Sequence, residues 1–190
     1  MSSQSPLSPL SPLSPLSPLS PLSPLRRTAF WTALVLCSLL VLKNAWLGDD
    51  CFISLRVVEN FLQGHGLRWN VAERVQVFTH PLWLLSMLLV YAVTREAYYS
   101  LIFLSASISI LAIHSCLYRA MSKDRLFSTL LLLLSSKAFF DFTSSGLEQP
   151  LLFLLSLLFC RSCLEGQSVF ACSLVFALLL TTRADPLLLF

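Results

Sequence analysis

Between Ala29 and Leu47 the chain runs nineteen residues with one charge, Lys43. A helix of about 20 apolar residues crosses the ~30 Å hydrocarbon core of a bilayer, so this run most constrains the fold. Tyr98 to Tyr118 is a second run of that length, and Leu126 to Phe140, Leu151 to Phe159 with its flanks, and Ser168 to Thr182 are shorter ones. Pro81 to Val93 fits a helix that lies at an interface or re-enters it. Hydrophobic residues make up 56% of the chain and charged residues 12%, with a mean hydropathy of +0.76. A soluble domain carries about 25% charged residues, so the expected class is all-α: a polytopic transmembrane helical protein.

Charge sets the expected topology. Arg26 and Arg27 precede the first run, which places the N-terminus in the cytoplasm and Asp49 and Asp50 at the outer face. The next basic loop, with Arg119, Lys123 and Arg125, also belongs inside. Both conditions hold if Pro81 to Val93 stays at the outer face, within an outer loop spanning 48–97. The remaining runs then alternate, so DFTSSGLEQP (141–150) and TTRADP (181–186) are outside and Arg161 is inside. Asp49, Asp50, Asp141, Glu148, Arg183 and Asp185 therefore gather on one side. Ionisable groups at membrane depth are costly, and a cluster on one face of a charge-poor chain marks a candidate site.

Residues 1–27 form a separate tail, in which Ser-Pro-Leu repeats seven times from Ser5 to Leu25. Proline at every third position excludes a helix and predicts an extended, disordered segment. The continuous apolar core of a signal peptide is missing there. A net charge of +3 without a basic, aromatic-studded stripe gives no reason to expect nucleic acid. Of six cysteines, Cys160 and Cys163 form one CRSC pair, and a zinc site wants about four ligands, so no metal ligands are assigned.

Helical spacing over 48–64 puts Asp49, Ile53, Arg56 and Asn60 on one face, and Gly64 and Gly66 around His65 read as a stop and a tight turn. A carboxylate beside lipid suits a general base for a hydroxyl nucleophile, or a ligand for a divalent cation against phosphate. Arginine suits a phosphate leaving group through paired charge-assisted hydrogen bonds. His65 and His80 are candidates to orient substrate. His114, inside a span, reads as a packing residue, and Lys43 and Lys137 as side chains that snorkel outward.

These segments carry a family likeness. DDCFISLRVVENFLQGHGLRWNVAERVQVFTHPLW resembles the first outer loop of bacterial GT-C glycosyltransferases, especially the mycobacterial cell-wall arabinofuranosyltransferases. SSGLEQPL (144–151) is similar to their Ser-Gly-Leu-Glu-Thr motif and TRADPLLL (182–189) to their Thr-Arg-Pro-Asp motif. The resemblance covers 28–190. It implies transfer of a sugar, with inversion, from a polyprenyl-phosphate donor to a glycan or other cell-envelope acceptor at the outer face of the cytoplasmic membrane. Asp49 or Asp50 carries over as the base, with Asp49 favoured slightly because it shares a face with Arg56 and Asn60. Arg56, Asn60, His65, Glu148, Arg183 and Asp185 carry over as substrate contacts. Ala72, Gln76 and Val77 depart from the pattern, as does Ala184 in place of its proline, which suggests altered sugar contacts or relaxed constraint. The family has further spans, so 28–190 reads as the N-terminal part of such an enzyme. Two other readings stay open: a carrier or flippase for a lipid-linked molecule, and a non-catalytic membrane remnant.

Overall fold

The structure, a computed structural model, describes residues 23–73, 75, 77–122 and 125–183. Within them the chain is all-helical: α1 (Pro24–Lys43), α2 (Asp49–Leu62), α3 (Pro81–Thr94), α4 (Tyr98–Ser122), α5 (Leu126–Ser135), α6 (Lys137–Phe142), α7 (Gln149–Leu164) and α8 (Val169–Thr182). Most of the Ser-Pro-Leu tail lies outside the described residues. Its last part does not, and Pro24 to Arg27 form the start of α1. Proline is tolerated at a first helical position, where its missing N–H would have had no partner. At the other end α1 stops at Lys43 rather than Leu47, with the Asn44 N–H closing on Leu40 O.

α1 and α4 are long and apolar enough to cross a membrane. On α1, Phe30, Leu34, Cys37 and Val41 form a stripe buried against its neighbours, yet Trp31, Val35, Leu39 and Leu42 on the opposite stripe are also apolar and about half exposed. A helix apolar all round belongs in a large core or in lipid. α7 and α8 show the same surplus, with Leu164, Val169 and Phe170 each at least 77% exposed.

The helices share two ends. Phe30, early in α1, packs edge-on to His114 and Tyr118, late in α4, so the two run antiparallel. Arg119 of α4 pairs with Glu165 after α7, which puts the end of α7 there too. This end, with Arg26 and Arg27 at the start of α1, is the basic end. At the opposite end the Trp46 Nε1–H donates to Asp141 O at 2.7 Å and the Ser144 hydroxyl donates to Asn44 O at 3.1 Å. α5 and α6 together therefore return from basic end to acidic end, broken at Ser136, whose side chain accepts the Phe139 N–H. α7 leads back, and α8 returns to bring Arg183 onto Glu148.

α2 and α3 occupy the acidic end, between the exit of α1 and the entry of α4. Cys51, Leu55 and Val58 of α2 pack with Trp83, Leu84 and Met87 of α3, Leu101 of α4 and Leu47. Burial there pushes the Cys51 thiol up to about 11, in keeping with a packing role. α3 runs beside α2: His80, just before it, meets Ser54, and Tyr91 near its end donates to Glu59. Arg26, Arg27, Arg119 and Arg161 thus fall at one end of the folded chain, and Asp49, Asp50, Asp141 and Glu148 at the other. α2 closes as the glycines suggested: Gly64 and Gly66 take left-handed φ of 84° and 86°, and the His65 and Gly64 N–H groups bond Asn60 O and Phe61 O.

Candidate functional site

Five hydrogen bonds clamp the turn from Asp141 to Glu148. The buried Trp83 indole donates to Gly146 O at 2.9 Å, the Gly48 N–H to Ser145 O at 2.8 Å, and the buried Ser109 hydroxyl to Thr143 O at 2.8 Å, besides the Trp46 and Ser144 bonds already described. The Trp83 and Ser109 donors are buried, where a group left without a partner costs about 1–3 kcal/mol. The result is a fixed launch point for α7. Glu148 occupies the position before its first turn, but its carboxylate does not cap the helix.

That carboxylate is almost buried and faces sideways. The Arg183 Nη1–H donates to Oε1 at 3.0 Å, while Oε2 lies 3.8 Å from His80 Nδ1, within ion-pair reach though beyond a hydrogen bond. On its other side, His80 Nε2 meets the Ser54 hydroxyl at 3.0 Å. A ring protonated on Nδ1 suits both neighbours: it aims its proton at an acceptor-only carboxylate and leaves Nε2 to accept from Ser54. Burial pulls the His80 pKa below its ordinary value; Glu148 opposes this and Arg183 reinforces it. His80 is therefore neutral at pH 7.

Because the folded pKa is depressed, the contribution of neutral His80 is present above about 6.5 and is lost as pH falls through the folded value. Between pH 7.5 and 5 the thermal midpoint should fall further in the parent than in His80→Gln. Equal falls in both proteins would remove His80 from the acid response.

Asp50, Ile53 and Ser54 of α2, Thr79 and His80 before α3, Glu148 and Gln149 at the start of α7, and Arg183 after α8 line one open cleft of about 280 Å³. Asp50 and Ser54, four residues apart, present one side of α2 to it, while Cys51, Leu55 and Val58 bury the other. Asp50 itself is exposed.

Of the residues expected from sequence, Asp50, Glu148 and Arg183 meet in this cleft. Asp49 is exposed in the first turn of α2 but does not line it. Asn60 is buried and donates to Arg68 O and Trp69 O at 2.8 and 2.9 Å. Arg56 donates to Trp69 O and stacks over the Trp69 ring at 5.2 Å. Both therefore secure the loop after α2, and neither lines the cleft. His65 is exposed in the turn between Gly64 and Gly66. Asp185 lies outside the described residues. Ser54, Thr79 and Gln149 join the cleft beyond the residues expected from sequence, and the i, i+4 relation of Ser54 to Asp50 is the sequence signal for Ser54. Elsewhere, Lys43 is exposed and Lys137 is 91% exposed, and His114 stacks on Tyr118.

Among the described residues no three His, Cys, Asp or Glu side chains stand close enough to share a metal ion. Comparison with protein-family models, curated proteins and solved structures found no match.

Proposed function

We propose that the chain belongs to a polytopic membrane glycosyltransferase of the GT-C type, with α1, α4, α5–α6, α7 and α8 spanning the cytoplasmic membrane and α2 and α3 lying on its outer face. The observation that carries this reading is the cleft at the acidic end, where Asp50, Glu148 and Arg183, from three separate sequence motifs, come together around neutral His80. Supporting it, Arg26, Arg27, Arg119, Arg125 and Arg161 all belong to the opposite end, as expected for a cytoplasmic face.

The donor is a sugar on a polyprenyl phosphate, and the acceptor is a hydroxyl of a cell-envelope glycan. Asp50 takes the proton from the acceptor hydroxyl as its oxygen attacks the anomeric carbon opposite the phosphate. The bond from that carbon to the phosphate oxygen breaks, its electron pair stays on the phosphate, and the configuration inverts. Arg183 offers its guanidinium to the departing phosphate. Glu148 holds Arg183 and faces His80 across the buried side of the cleft. No step requires a metal.

The test is transfer from labelled polyprenyl-phosphate sugars in membranes that contain the chain. Transfer by the parent, and none by an inserted variant carrying Asp49→Asn with Asp50→Asn, is the expected result. A stably inserted parent inactive against a panel of such donors would overturn the reading.

A further inference from the structure

The connection from α7 to α8 is short and closed from both sides. Gly166 takes a left-handed φ of +63°, its N–H bonds Cys163 O at 3.3 Å, and the Gln167 N–H bonds Ser162 O at 3.0 Å, the pairing that ends a helix on glycine. Ser168 then opens α8 by accepting the Ala171 N–H on its side chain. So tight a connection makes α7 and α8 an antiparallel hairpin.

One contact fixes its register. The rings of Phe159 and Phe176 lie 5.3 Å apart. Cys163 follows Phe159 by four residues and Cys172 precedes Phe176 by four, so each cysteine shares a face with its phenylalanine. One turn from the phenylalanine pair toward Gly166, Cys163 therefore stands opposite Cys172. The Cys163 thiol is within hydrogen-bonding reach of Cys172. Both are free; Cys163 is exposed and Cys172 partly buried. The ion pair of Arg161 with Glu165 flanks Cys163, so a water-borne reagent reaches that end of α7. Cys160, also exposed, is the competitor. Helix residues three apart hold their Cβ atoms about 5–6 Å apart, whereas a disulfide needs about 3.5–4.5 Å. A bridge from Cys163 to Cys160 would have to distort α7, while one to Cys172 joins thiols that already face each other.

We infer that Cys163 and Cys172 form a reversible disulfide site, a clasp across the α7–α8 hairpin that closes by exchange with a small-molecule disulfide such as oxidised glutathione. The exposed Cys163 gives its proton to water, and its thiolate attacks one sulfur of the reagent. The reagent's S–S bond breaks, and one glutathione leaves as a thiolate and takes up a proton. Cys172 loses its proton in turn and attacks Cys163 Sγ, and the second glutathione leaves in the same way. Two protein thiols are oxidised by two electrons while one disulfide is reduced to two thiols. The site stands independently of sugar transfer. Cytoplasmic thiols are kept reduced, so at the basic end, cytoplasmic in the proposed topology, the clasp rests open and closes when its surroundings turn oxidising.

The full chain, purified in detergent, would be equilibrated with glutathione buffers from reduced to oxidised, quenched with acid, alkylated and digested with trypsin. Cleavage after Arg161 and Arg183 yields 162–183, which carries Cys163 and Cys172 but not Cys160. In oxidised buffers this peptide should lose two hydrogens and take no alkyl group, and cutting it after Glu165 should leave its halves joined. Dithiothreitol should restore both thiols. Cys160→Ser should close the same bridge, whereas Cys172→Ser should retain glutathione on Cys163. Should a variant fail to fold, the peptide map of the parent alone decides. A bridge joining 162–183 to 138–161 through Cys160, both cysteines alkylated in every buffer, or glutathione retained on Cys163 of the parent would each overturn the assignment.

Discussion

With sugar transfer as proposed, Asp50→Asn should lower it by about 10²–10⁴-fold, the usual worth of a positioned general base, whereas Asp49→Asn should leave it within a few fold. Both carboxylates stand in the first turn of α2, but successive helical residues point about 100° apart. Asp50 faces the cleft with Ser54, His80, Glu148 and Arg183; Asp49 does not. Asparagine keeps the size and one acceptor oxygen while removing the base, so a folding defect is not expected from either change. The readout is initial rate with saturating donor, on protein whose insertion has been checked. An inactive Asp49→Asn beside an active Asp50→Asn would reverse the assignment and turn the reacting face toward the Arg56 side of α2. Loss in both would make the pair act together.

That choice marks where sequence reasoning ends. Helical spacing correctly placed α2 and its glycine stop, and it put Asp49 in register with Arg56 and Asn60. It could not reveal that Arg56 and Asn60 are used by the loop they precede. Asn60 meets two consecutive carbonyls of that loop, a local arrangement fixed by how the chain turns after Gly66. The alternation of ends was legible because charge is scarce and sits between apolar runs, so each basic or acidic cluster labels an end. The break at Ser136 was not: Leu126 to Phe140 has no proline or glycine within it, and the serine acts only by capping the next turn. His80 was visible as a polar residue before Pro81, but its neutrality depends on burial, and its place depends on Ser54 and Glu148 from other segments. Such a residue becomes identifiable only when three parts of the chain have been packed together.

The second large effect concerns a residue with no side chain. Gly146→Ala should destabilise the protein by about 2–5 kcal/mol, from about 1–2 for a left-handed conformation and about 1–3 for overpacking. Gly146 has φ +76°, and a Cβ there would fall 2.6 Å from Cys51 Sγ and 2.7 Å from Leu47 Cδ2. Those atoms are side-chain ends, which could yield at a surface. Cys51 is fully buried and Leu47 nearly so, however, within the cluster that packs α2 onto α3, so relief requires α2 itself to shift. Gly64→Ala isolates the first contribution: φ is +84° there, but nothing lies within 4 Å of the added carbon. The difference between the two losses in thermal stability measures the contact alone. Cys51→Ala combined with Gly146→Ala should recover part of that difference and none of the backbone strain, since Sγ is gone while φ is unchanged. If Gly64→Ala and Gly146→Ala cost the same, the turn has room, and its close approach to α2 is not what holds it. If Gly146→Ala costs more, the proposed transfer should fall with it even where the protein remains folded. Gly146 O anchors the Trp83 indole, and Glu148 is only two residues further on. A turn pushed away from α2 draws that carboxylate from Arg183 and His80, separating the groups that the cleft requires together.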